Sequence, residues 1–144
     1  MAFIGEYQHH LDEKGRMAIP AKFRPRLGKG AVVTRGLDRC LFLFPKTEWQ
    51  DLAKKLITLP LTSANSRAFV RLMLAGASAV DIDSQGRILI PEYLRCYANL
   101  TKQAIVTGLY SRVEIWDEMA WKRYKARTEA NSEQIAERLG ELGI

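Results

Sequence analysis

LDEKGRMAIPAKFR, residues 11–24, and IDSQGRILIPEYLR, residues 82–95, are two renderings of one segment. At an offset of 71 they coincide at Asp12/Asp83, Gly15/Gly86, Arg16/Arg87, Ile19/Ile90, Pro20/Pro91 and Arg24/Arg95. Average composition would give roughly one identity over such a span. The correspondence runs outward in both directions. Upstream Gly5 faces Gly76, and downstream AVVTRGLDRCLFLFPKTEW (31–49) lies beside AIVTGLYSRVEIWDEMAW (104–121) after a small shift. Each copy is roughly 50 residues, a size that struggles to close a core alone, so two copies packed as an internal pseudo-dimer are expected.

Within each copy the pattern predicts strand, tight turn, strand, short helix, strand, turn, strand, helix. DEKGR reads as a turn because an aspartate can bond the backbone that follows it, while glycine accepts the positive φ that other residues resist. MAIP and ILIP are then short apolar strands, with Pro20 and Pro91 at the first position of the helices AKFRPRL and EYLRCYA. AVVT with CLFLF, and AIVT with RVEIW, read as further strands. A helix opens at Pro45 with Trp49, Leu52, Leu56 and Leu59 at helical spacing, and Asp117 caps another that carries Trp121, Tyr124 and Thr128. Between the copies SANSRAFVRLMLAG has a serine cap at Ser63, apolar Phe69, Val70, Leu72, Met73 and Leu74, and a terminating Gly76, which marks a packed connector. The acidic tail after Arg127 reads as a marginal, solvent-facing helix.

Composition bounds the function. With 144 residues, 47% hydrophobic and 26% charged, this is a globular chain, and no apolar run reaches the ~20 residues of a membrane span. MAFIGEYQHH lacks the basic-then-apolar order of an export signal, so a cytoplasmic location is expected, with no membrane partner. Cys40 and Cys96 belong to no close Cys or His spacing, and adjacent strand residues such as His9 and His10 point apart, so neither a metal nor any other cofactor is expected. There is no G-x-S-x-G elbow, phosphate loop, H-E-x-x-H or dinucleotide fingerprint, which argues against an enzyme.

The net charge of +6 is local. Lys14, Arg16, Lys22, Arg24, Arg26, Lys29, Arg35 and Arg39 face one acid, Asp38, within residues 14–39, whereas the rest of the chain has 14 bases and 15 acids. Such an excess is what a footprint for a polyanion looks like. In each turn an aspartate four residues ahead of an arginine can satisfy turn amides and orient the guanidinium. An ion pair that only stabilises the hairpin is the alternative, yet exposed pairs contribute ~0–1 kcal/mol and that role hardly requires an arginine in both copies. The fork of donors on Arg16 and Arg87 suits phosphate oxygens or guanine O6 and N7, Lys14 adds a phosphate contact, and a two-stranded ribbon is narrow enough to enter the major groove. Asp12, Gly15, Asp83 and Gly86 are the turn-orienting residues. The second turn is the less basic, with Gln85 for Lys14 and Tyr93 for Lys22.

The duplicated LDEKGRMAIPAKFR and IDSQGRILIPEYLR, with FIGEYQHHLD, RGLDRCLF and VEIWDEMAW, make the chain resemble the MraZ family over nearly all its length, from Phe3 to about Tyr124. The resemblance implies an α+β fold in which two swapped-hairpin units of the SpoVT/AbrB type form an intramolecular pseudo-dimeric β-barrel with flanking helices. The expected division is residues 1–60 and 76–128 for the two units, 61–75 for a connecting helix and 129–144 for a tail. The resemblance further implies a nucleoid-associated transcriptional regulator, a ring homo-oligomer on direct repeats in a promoter of double-stranded DNA, usually repressing its own division and cell-wall operon. Arg16 and Arg87 would face DNA, and Arg24 is a candidate phosphate contact. Two other readings stay open: an RNA- or ribosome-associated β-barrel protein, and a ring scaffold whose partner is another protein.

Overall fold

A computed structural model describes residues 2–143, so Met1 and Ile144, the outer limits of the expected spans, lie outside the described residues. Among the described residues eight strands and six α-helices follow one another in two similar series. The first is β1 (Phe3–His10), β2 (Arg16–Ala18), α1 (Arg24–Leu27), β3 (Gly30–Arg35), β4 (Leu41–Pro45) and α2 (Lys46–Leu56). The connector α3 (Ala64–Val70) and a wider π-helical turn, Arg71–Ala75, lead into the second: β5 (Ser78–Asp81), β6 (Arg87–Leu89), α4 (Glu92–Tyr97), β7 (Gln103–Tyr110), β8 (Val113–Asp117) and α5 (Glu118–Ala130). A last helix, α6 (Ser132–Leu139), is exposed along its whole length.

The two copies are interleaved. Six strands form one antiparallel sheet in the order β1-β7-β8-β4-β3-β5, and β2 pairs with β6 in a separate ribbon. The first strand of each copy thus leaves its own hairpin and pairs with the other copy's: β1 lies on β7 with Phe3 opposite Tyr110, and β5 on β3 with Gly30 opposite Asp81. One face of the sheet buries Ala31, Val33, Leu41, Leu43, Val80, Ala104, Val106, Val113 and Ile115 against Met17, Ile19, Ile88 and Ile90 from the ribbon and its flanks, with Phe23 and Leu94 at the sides. These residues come from both copies, which explains why neither could hold this core alone.

The other face is covered by helices. Phe42, Phe44, Ile105 and Trp116 pack under Trp49, Leu52 and Leu56 of α2, Phe69, Val70, Met73 and Leu74 of the connector, and Trp121 and Tyr124 of α5. The predicted caps form: Ser63 Oγ accepts from Ser66 N–H at 3.2 Å and Asp117 Oδ2 from Ala120 N–H at 3.0 Å. Two details differ from the sequence reading. AKFRPRL is divided into a 3₁₀ turn, Ala21–Phe23, and α1. Pro20 and Pro91 stand one residue earlier than the first helical position, as caps with extended ψ of 133° and 145°, because their carbonyls already accept from Phe23 and Leu94 N–H.

Candidate nucleic-acid interface

β2 and β6 are antiparallel with Arg16 opposite Leu89, Met17 opposite Ile88 and Ala18 opposite Arg87. Successive strand residues point to opposite faces. Met17 and Ile88 are fully buried, so they form the inner face, and Arg16, Ala18, Arg87 and Leu89 share the outer one. The two arginines therefore occupy diagonal positions on a single surface, roughly 7–8 Å apart at the backbone by the usual spacing of an antiparallel pair. Their side chains remain 35% and 29% exposed. Leu89, between them, is 55% exposed.

Each arginine is held by its own turn. Gly15 N–H donates to the Asp12 carbonyl at 3.0 Å and takes a φ of +84°, which closes the turn. Asp12 Oδ1 accepts from Lys14 and Arg16 N–H, both at 2.9 Å, while Oδ2 accepts from Arg16 Nε at 2.7 Å. The second turn repeats this. Asp83 Oδ1 accepts from Gln85 and Arg87 N–H at 2.9 Å, Oδ2 accepts from Arg87 Nε at 3.0 Å, and Gly86 has a φ of +77°. The Arg16 backbone N–H, with its guanidinium and Lys14 N–H behind it, brings the Asp12 carboxyl down to about 2. The Asp83 carboxyl is lowered likewise, first by Arg87 N–H. A carboxylate that stays ionised keeps its hold on Nε–H, leaving the four Nη hydrogens of each fork for a partner.

The surrounding charge is less uniform than the sequence suggests. Lys14 is exposed, but so is Glu13, whose counterpart is Ser84, so the two turns carry the same net charge and differ only in the reach of Lys14. Arg26 pairs with Glu48 at 2.6 Å, and Arg35 and Arg39 lie over the Tyr97 ring at 6.0 and 5.0 Å. Arg24 is half-buried, and its Nε donates to the Ile19 carbonyl at 2.9 Å. Tyr93, which stands where the first copy has Lys22, donates its hydroxyl to the Gly76 carbonyl at 2.9 Å.

Away from the ribbon, Cys40 is buried with Sγ 3.2 Å from the Leu37 carbonyl, and burial pushes its thiol pKa up; Cys96 is exposed. Among the described residues no group of three or more His, Cys, Asp or Glu could hold a metal ion, and no helix is long and apolar enough to cross a membrane.

The family model described as "MraZ protein, putative antitoxin-like" matches twice, over residues 2–72 and 73–142. The chain belongs to the MraZ family. Its relatives include proteins named transcriptional regulator MraZ from Desulforamulus reducens, 50% identical over 97% of this chain and 99% of the relative, and from Halothermothrix orenii and Syntrophomonas wolfei, each 50% identical over 99% of both chains. The two family matches divide the chain where the sequence repeats, and the swapped strands interlock the halves.

Two residues of the ribbon region are not assigned to the site by the sequence. Leu89 looks like core in the apolar run ILIP, although strict alternation from buried Ile88 and Ile90 places it outside. Arg95 looks incidental, although it recurs with Arg24 in the repeat, and that recurrence was the available signal.

Proposed function

We propose that this chain is a sequence-specific DNA-binding transcriptional regulator that presents the outer face of the β2–β6 ribbon to duplex DNA. One observation carries the reading: two guanidinium groups from different copies stand on the same outward surface, each oriented by an aspartate of its own turn. A two-stranded ribbon fits the major groove, where an arginine fork takes guanine O6 and N7. Arg16 and Arg87 read bases, Lys14 contacts phosphate, and Asp12, Gly15, Asp83 and Gly86 hold the turns. Leu89 offers the apolar surface that suits a thymine methyl.

In this reading residues 1–60 and 76–128 are the two halves of a pseudo-dimer whose sheet and ribbon act as a barrel wall, joined by 61–75 and followed by the tail. Several chains form a ring on tandem promoter boxes, so that weak single contacts combine through effective concentration, and the protein represses its own operon from the nucleoid. The names of its relatives support regulation of transcription. The test is Arg16→Ala, assayed by gel shift on duplex from upstream of its own gene beside size-exclusion chromatography. Loss of binding with unchanged elution is expected; undiminished affinity overturns the proposal. Preference for structured RNA over duplex DNA overturns it equally.

A further inference from the structure

We infer that Arg24 and Arg95 are positioning residues, each locking the arginine-bearing turn of the opposite copy. The inference deepens the proposed DNA-binding reading and rests on it for its functional consequence, but the contact itself stands on geometry. Arg95 comes from α4 of the second copy, yet its guanidinium lies against Gly15 of the first turn: a Cβ placed on Gly15 would stand 2.6 Å from Arg95 Cζ and 2.7 Å from its Nε. Arg24, in α1 of the first copy, lies just as tightly on Gly86 of the second turn, where an added Cβ would collide with Cζ and Nε. Each glycine is required by its positive φ, and its bare Cα leaves the space in which the flat cation sits.

The seat is closed by the backbone. Arg24 Nε donates to the Ile19 carbonyl at 2.9 Å, and Ile19 N–H donates to the Gly86 carbonyl at 2.9 Å. In mirror image Arg95 Nε donates to the Ile90 carbonyl at 3.0 Å, and Ile90 N–H to the Gly15 carbonyl at 3.0 Å. One residue therefore grips both the latch and the turn that it covers, and the pattern occurs twice with equivalent atoms. Arg24 is also near enough to His9 that its charge adds to burial in holding that imidazole below its ordinary range. A planar group with a donor at Nε fits this slot, whereas the round ammonium of lysine does not. The consequence is coupling: the orientation of Arg87 depends on a residue of the first copy, and that of Arg16 on a residue of the second.

The experiment compares Arg24→Lys, Arg24→Gln and Arg95→Lys in the full-length protein. Hydrogen–deuterium exchange of the DNA-free protein reads the turns directly, through amides of residues 83–88 and 12–17. Expected is faster exchange at 83–88 in both Arg24 variants with 12–17 unchanged, and the reverse for Arg95→Lys. Should one substitution prevent folding, the other still reads its own latch. Acceleration in the same copy's turn, or in neither, overturns the inference. On operator duplex, Arg24→Lys is expected to lose as much affinity as Arg87→Ala at every salt concentration. Where Arg16→Ala does lose operator binding, a lysine variant with wild-type affinity would make Arg24 a plain phosphate contact and overturn the latch. Failure of the DNA-binding reading is distinguishable, because it leaves the exchange pattern intact while Arg16→Ala keeps full operator affinity.

Discussion

Arg16→Lys keeps the positive charge of the first turn and removes its fork, so it separates reading of bases from attraction to phosphate. In the folded turn Nε–H is held by Asp12 at 2.7 Å, and what remains for DNA is the planar pair of Nη groups. A bidentate contact to guanine contributes about 1–3 kcal/mol of discrimination, or about 5- to 160-fold in affinity for the correct base over a wrong one. Pre-orientation by Asp12 favours the upper part of that range, since less side-chain freedom is lost on docking. Lysine in the same place keeps the cation but not the fork, so the dependence of log K on log salt should keep its slope while discrimination falls, whereas loss of the phosphate contact in Lys14→Ala should flatten the slope by about 0.9. Fluorescence anisotropy on a single-box duplex and a scrambled one, over a salt series, measures both quantities. A lysine variant that discriminates as well as the wild type would refute base reading by this residue.

Met17→Ala and Ile88→Ala, at the buried centre of the ribbon, should each cost about 2–5 kcal/mol in urea unfolding, with a double mutant less than additive because the two face each other. Asp12 has a folded pKa of about 2, below that of an unfolded aspartate, so its contribution to the turn is complete above about pH 4 and is lost as the pH falls through 2; carboxyl carbon shifts from NMR titration that place its midpoint near 4 would contradict this. The equivalent threonines should differ: Thr34 Oγ1 donates to the Met73 carbonyl at 2.6 Å and Thr34→Val should cost about 1–3 kcal/mol, while the buried Thr107 hydroxyl has no partner among the described residues and Thr107→Val should be neutral or stabilising. Asp117→Ala removes the cap on α5 and should lower stability by about 0.5–2 kcal/mol in the same unfolding assay.

How much of this was legible in the sequence depends on how local each feature is. The Asp–Gly–Arg turn could be read from five residues because its bonds close within those five. The alternation that turns Arg16 and Arg87 outward was also there, in RMAI and RILI, since period two fixes the face of every residue once one buried position is known. Which strand β1 pairs with was not. An eight-residue strand such as FIGEYQHH carries the same pattern whether it lies on β3 or β7, and only the family resemblance pointed to the swap that the register Phe3 to Tyr110 displays. The half-buried placement of Arg24 was hidden for a related reason. A base among many bases looks solvated, and the glycine that receives it lies more than 60 residues away. The π-helical turn at Arg71–Ala75 has no counterpart in the spacing of RLMLA, which suits an ordinary helix equally well.

The common face of Arg16 and Arg87 follows from one register. With Met17 opposite Ile88, an odd-numbered step separates each arginine from its buried neighbour, so both point outward. A slip of β6 against β2 by one residue would turn one arginine towards the sheet, and the core would have to accept a guanidinium or expel Ile88. Ile19 N–H to Gly86 and Ile90 N–H to Gly15 close the two ends of the ribbon at equal distance from its centre, which blocks a slip in either direction. Because the four residues making those two bonds come in pairs from opposite copies, the arginine surface exists only when the halves are interlocked. Two copies in one chain keep that interlock at fixed stoichiometry, and they free the sequence to make the two sides of the surface unlike, with Lys14 and Ala18 on one side and Gln85 and Leu89 on the other. A symmetric dimer of identical halves presents only a palindromic face; this ribbon has a direction, as the proposed reading of direct repeats requires.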